Sequence, residues 1–203
     1  IFATKDDEED DFIFTLRPEI RAESQWSRHS LAASTFGEFG FFAEENDSNY
    51  EDFGVGLDGR LDVTRESATF GGLSFARLHE DRESADDVGQ DEVTQFWVSE
   101  ARLRHRHRFA RFFVEPRAVA QRFAFEEAGD FSNADRDRNR FGGGLRVGLT
   151  VSPAINVFAE GNADVVQYDD AGEFQDNNGY DGRVGVEVDV TRLVVGEASV
   201  GYA

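Results

Sequence analysis

Apolar and polar residues alternate with a period of two over most of the chain. Leu145, Val147, Leu149 and Val151 interleave with Arg146, Gly148 and Thr150, and Val184, Val186, Val188 and Val190 with Arg183, Gly185, Glu187 and Asp189. Phe53, Val55, Leu57, Leu61 and Val63 alternate with Gly54, Gly56, Asp58, Arg60 and Asp62; near the start, Phe12, Phe14, Leu16, Pro18 and Ile20 alternate with Thr15, Arg17, Glu19 and Arg21. Successive side chains on a strand point to opposite faces, so these stretches predict strands with one apolar and one polar face. Helical spacing is sustained nowhere, and no run approaches the ~18 apolar residues of a helical membrane span. A strand that crosses a membrane leaves no such run, because its lipid-facing and inward-facing residues alternate.

Two kinds of connection separate the strands, and they take turns. Tight reversals fall near 25–28, 65–68, 108–111, 152–154 and 192–194, and long polar segments at 44–52, 79–92, 126–140 and 169–181, with an opening stretch at 6–11. This predicts about ten strands of ~10–16 residues joined as a repeat of hairpins. If the hairpins run up and down, all long segments share one rim, and 28 of the 41 acidic residues lie in them.

Composition narrows the function classes. The 203 residues carry 41 Asp and Glu against 21 Lys and Arg, a formal charge of −20. A general nucleic-acid partner is excluded by the lack of a basic face. The absence of Cys removes disulfides, thiolate nucleophiles and Cys-ligated metals. The absence of Met, even at position 1, reads as a processed or truncated chain. A mean hydropathy of −0.52 with this charge would suit a disordered chain, but 20 Phe, 4 Tyr and 2 Trp do not.

Period alone fits a soluble β-sandwich and a membrane barrel equally. Strand length, the short-turn and long-loop asymmetry, and an apolar face free of acid over several strands favour the barrel. Phe12, Phe14, Phe39, Phe41, Phe53, Trp97, Phe112, Tyr168, Tyr180 and Tyr202 sit at strand ends, where an interfacial girdle would place them. Phe36, Phe96 and Phe158 alternate towards the polar side.

Several stretches carry a family resemblance: Asp11 to Pro18 (DFIFTLRP), Trp26 to Leu31 (WSRHSL), Asn49 to Phe53 (NYEDF), Leu57 to Arg65 (LDGRLDVTR), Phe75 to Asp81 (FARLHED), Gly185 to Leu193 (GVEVDVTRL) and Gly201 with Tyr202. Together they resemble the type-2 β-barrel porins, and the resemblance covers nearly the whole chain. It implies an all-β, antiparallel up-and-down transmembrane β-barrel in the outer membrane of a Gram-negative bacterium, linked to exopolysaccharide or capsule systems. Members of that family are longer than this chain. Either the chain is the N-terminal part of a larger barrel, a single domain over 1–203 incomplete at both ends, or ten strands close around a narrower lumen; the first is expected, because an open sheet of ten strands would leave two unpaired edges in lipid.

The polar strand faces supply the candidate site. Arg17, Glu19, Arg21, Asp58, Arg60, Glu100, Arg102, Arg104, Glu115, Arg117, Arg146, Arg183 and Glu187 are expected to line the lumen as an Arg–carboxylate lattice. The planar guanidinium fork both pairs with carboxylates and binds anionic or hydroxylated solutes, so the lattice reads equally as a permeation path for polar molecules and as a self-satisfied interior. Expected partners are outer-membrane lipid, lipopolysaccharide, and polysaccharide or other export-system proteins. Catalysis has little support, since no GxSxG elbow accompanies His29–Ser30 and carboxylate pairs are unspecific at this acid content. His105 and His107 lack a third ligand and read as interfacial. Asp135, Asp137 and Asn139 begin like a calcium loop, but Arg140 and Arg146 stand where its Gly and terminal Glu belong. No cofactor is expected beyond weak binding of divalent cations by acidic loops.

Overall fold

The computed structural model describes residues 11–44, 48–80, 93–129, 132–170, 176–189, 191 and 194–203. Among them lie eleven strands: β1 (Ile13–Leu16), β2 (Glu19–Glu23), β3 (Ser30–Phe42), β4 (Tyr50–Asp62), β5 (Ser67–His79), β6 (Gln95–Phe109), β7 (Phe112–Phe125), β8 (Arg138–Ser152), β9 (Ile155–Tyr168), β10 (Asn177–Asp189) and β11 (Val195–Tyr202). They form one antiparallel up-and-down sheet, each strand beside its neighbour in sequence. β1 and β2 both pair with β3 in one continuous register, from Ile13 opposite Phe42 to Glu23 opposite Ala32. They are therefore one strand interrupted at Pro18, whose carbonyl still accepts from Gly37 N at 2.9 Å. Ten strand positions result, as the pattern predicts. Proline has no N–H to give, and an edge strand tolerates this.

Residues directly opposite each other in a sheet share a face, so the registers assign every side chain. The apolar face carries Leu57 opposite Leu73, Leu73 opposite Ala101, Leu145 opposite Gly161 and Val184 opposite Val200. Val184, Val186 and Val188 lie on it as their alternation implies; Val190 lies outside the described residues. This face is bare: Val55 is 56% exposed, Leu73 60% and Leu103 55%, and no large side chain of the described residues is fully buried. A sandwich would press this face against a second sheet, and none is present among the described residues. That observation separates barrel wall from sandwich.

The apolar face is banded. Phe53 meets Trp97 edge-on at 5.5 Å, and Phe75 stacks on Trp97 at 4.8 Å, near the long-loop ends of β4 to β6. At the other end His107 stacks on Phe109, and Phe109 on Phe112, each at 5.9 Å. Ten residues separate Trp97 from His107 on β6. That is roughly 33 Å of strand and, at a tilt near 40°, about 25 Å along a membrane normal, the height of a barrel's apolar belt. The charged strand residues on this face, Glu51, Arg77 and Arg122, all lie near the long-loop ends. His105 and His107 are on this face too, near the turn. Tyr168 departs from expectation. It pairs with Arg138 on the polar face, so its ring is not part of the outer girdle, because β9 presents its even-numbered residues inward.

The hairpin turns are tight where the sequence is short. β6 and β7 are joined by Ala110 and Arg111 alone, with Ala110 at φ 53°. Two-residue hairpins need a positive φ to match strand twist. The long connections are described only in part: 6–10, 45–47, 81–92, 130–131 and 171–175 fall outside the described residues.

Candidate functional site

The thirteen candidate residues all lie on one face. The register runs Arg60, Phe70, Arg104, Arg117, Gly144, Asn162, Asp181 across seven strands. A neighbouring row passes from Asp58 through Gly72 to Arg102, and another from Glu115 through Arg146 and Glu160 to Arg183. Arg21 and Glu100 share a row through Ser34, Gly56 and Ser74; Glu19 lies opposite Phe36, and Glu187 opposite Asn156. Arg17 reaches Glu38 at 2.7 Å on the same side.

The strongest cluster centres on Glu160, whose side chain is 1% exposed. Arg117 donates to it, Arg146 Nε donates at 2.5 Å and Arg183 Nε at 3.1 Å. Arg146 also pairs with Glu197 at 3.0 Å, and Arg183 with Glu197 at 3.2 Å. Glu187 lies 3.8 Å from Arg146 and accepts from Asn156 at 3.0 Å. Three arginines thus meet three carboxylates, with the Phe158 ring 4.0 Å under the Arg146 guanidinium. A second cluster joins Arg102 to Asp58 at 2.5 Å and Glu100 at 2.9 Å, with Gln121 donating to Glu100 at 2.8 Å. Arg60 pairs with Asp62 at 2.9 Å. Other candidates are less engaged. Arg21 lies 3.9 Å from Glu23, Arg104 lies 3.7 Å from Glu115, and Glu19 has no ion pair among the described residues.

Glycines make these long crossings feasible. Arg102 passes over β5 to reach Asp58, and a Cβ on Gly72 would sit 2.5 Å from Arg102 Nε. Gly144 stands likewise between Arg117 and the side chain of Asn162. Pairing two strands apart therefore depends on the bare backbone between. Glu160 is not among the thirteen candidates, because alternation gives a side chain its face and not its partners.

The long-loop rim is pinned differently. Arg77 donates to Glu126 at 3.0 and 2.6 Å, and Trp97 Nε1 donates to the same carboxylate at 2.7 Å. The Arg77 hydrogen bond holds the Glu126 carboxyl below its ordinary range, with the indole N–H assisting against partial burial. Arg122 grips Asp169 with two bonds of 2.6 Å, which lowers that carboxyl as well. Asp137 of the calcium-like run accepts from Phe125 N at 2.7 Å and from Arg122 at 3.2 Å, so its oxygens serve the chain itself.

A family model described as "Putative beta-barrel porin 2" matches residues 1–203. The chain belongs to this family. Among solved structures, this porin-family chain is similar to "Copper transporter OprC", with 11% identity and a TM-score of 0.62 over 93% of this chain and 36% of that one. It is also similar to the siderophore receptor PirA from Pseudomonas aeruginosa, at 10% identity and a TM-score of 0.57, over 87% of this chain and 32% of that one. The chain thus spans about a third of each of these two solved structures, and at these identities the likeness is one of fold. No curated protein matches it by sequence.

Proposed function

We propose that this porin-family chain forms the wall of an outer-membrane passage for polar solutes, a porin or export conduit in a system that handles exopolysaccharide, and that it catalyses no reaction. One observation carries the reading: the candidate residues share the polar face, while the opposite face holds no acid between its aromatic bands. A wall of this kind wets its interior and meets lipid outside. The acidic long connections then face the cell exterior, beside lipopolysaccharide and weakly bound divalent cations, and polysaccharide or other export-system proteins are the partners at the mouths.

The test is single-channel conductance of the full-length protein in a planar bilayer. Replacing Arg102 and Arg104 with Gln should move reversal potentials towards cation preference, most clearly at low ionic strength where charges interact over longer distances. Epitope tags inserted near Asp86 and Gly172 should be detected on intact cells, and one in the turn at 63–66 should not. The sharing of Glu160 by three arginines favours a second reading, a structural or adhesive barrel whose interior satisfies itself. Absence of any conductance would establish that reading in place of the first.

A further inference from the structure

We infer that the short-turn mouth of the polar face is a binding site for multivalent anions, solutes that carry several carboxylate or phosphate groups. A cavity of about 600 Å³ at that rim is lined by Arg28, Arg60, Arg65, Arg106 and Arg108, with only Asp62 and Glu66 as carboxylates. The positive surplus of three stands out in a chain of charge −20.

These arginines differ as a group from Arg102, Arg117, Arg146 and Arg183 on the wall, each of which meets a carboxylate at hydrogen-bond distance. Asp62 is already taken by Arg60 at 2.9 Å. Arg28 reaches only the Asp62 main-chain oxygen, at 3.5 Å. Arg65 and Arg108 form no ion pair among the described residues. Arg106 stands 3.8 Å from Glu115, a carboxylate that Arg104 also approaches at 3.7 Å. Among the described residues, Arg106 Nε is a buried donor with no acceptor. Buried N–H groups are ordinarily satisfied, and one left over beside uncompensated cations fits an anionic acceptor.

Geometry and field agree. Arg106 and Arg108 are two apart on β6, so their forks project from one face roughly 6.6 Å apart. A cavity of this volume is in the range that holds a small ligand of two or three sugar units. Most acidic residues fall in the connections at the opposite rim, so an anion meets less repulsion at the short-turn mouth than at the loops.

The test uses full-length protein in detergent, with fluorescein-labelled trigalacturonate as probe and anisotropy as readout at low salt. Unlabelled trigalacturonate or tripolyphosphate should displace the probe, and neutral maltotriose should not. The double variant Arg65→Gln/Arg108→Gln, both positions at the rim and outside the paired lattice, should weaken binding at least tenfold. Arg138→Gln, at the long-loop end of the polar face and outside the thirteen candidate residues, should leave it unchanged. Equal displacement by maltotriose, a double variant within twofold of wild type, or an equal loss on Arg138→Gln would overturn the site. Binding needs no open pore: a protein that binds but does not conduct overturns the passage and keeps this site, and one that conducts without binding does the reverse.

Discussion

Removing the charge of Glu160 tests whether the polar face is held by its lattice. In Glu160→Gln the shape is kept, and Arg117, Arg146 and Arg183 lose the carboxylate that faces all three. The Arg146 and Glu160 side chains are 13% and 1% exposed. Breaking so buried a pair costs about 3–5 kcal/mol when the remaining charge is left alone. Arg146 is not left alone, because Glu197 remains at 3.0 Å, which reduces that cost. Arg117 and Arg183 are each 35% exposed and add about 0–1 kcal/mol apiece, as water screens them. The expected net loss is about 2–4 kcal/mol. It can be read from urea unfolding of the full-length protein in lipid vesicles, followed by tryptophan fluorescence. A double-mutant cycle with Arg146→Gln should return a coupling above about 1 kcal/mol. A loss within about 0.5 kcal/mol of wild type would refute the lattice as a stabilising element, since changes of that size are what exposed surface positions give.

Gly144→Val should cost about 1–3 kcal/mol in the same unfolding assay, because its side chain would occupy the path of Arg117 over β8; Gly161→Ala, on the apolar face, should cost far less. Val186→Arg, on the bare face between Ala198 and Val157, should cost roughly 2–4 kcal/mol and impair assembly, scored by heat-modifiable migration on gels. The Glu126 clasp gives a pH signature. A carboxyl depressed in the folded state contributes stability that is present above its unfolded pKa and lost as pH falls through its lower folded value. In a Trp26→Phe variant, the emission of Trp97 should therefore be constant from pH 7 down to the ordinary carboxylate value of 4.5 and change only below it. The same transition in Glu126→Gln would assign it elsewhere.

Much of this architecture is written in local order. Leu145 to Val151 and Val184 to Val188 announce their faces because strand periodicity is a property of the backbone, independent of what packs on it. The tight reversals at 108–111 and 152–154 were legible for a similar reason, since a short polar interruption of two long alternating runs has room for a hairpin and little else. The same alternation put Arg17, Arg60, Arg102 and Arg183 on one face without any knowledge of their partners.

What alternation could not supply is which charge meets which. Arg146 and Glu197 lie 51 positions apart and touch at 3.0 Å because β8 and β11 are brought together through β9 and β10. Arg117 reaches Glu160 across β8 only because the intervening residue is Gly144. The sequence by itself determined faces and turns, since these follow from spacing along one chain. Only the tertiary structure decided register, and with it the hub at Glu160 and the unmatched arginines at the mouth, because a partner's identity is set by the strand alongside and not by the residues before and after.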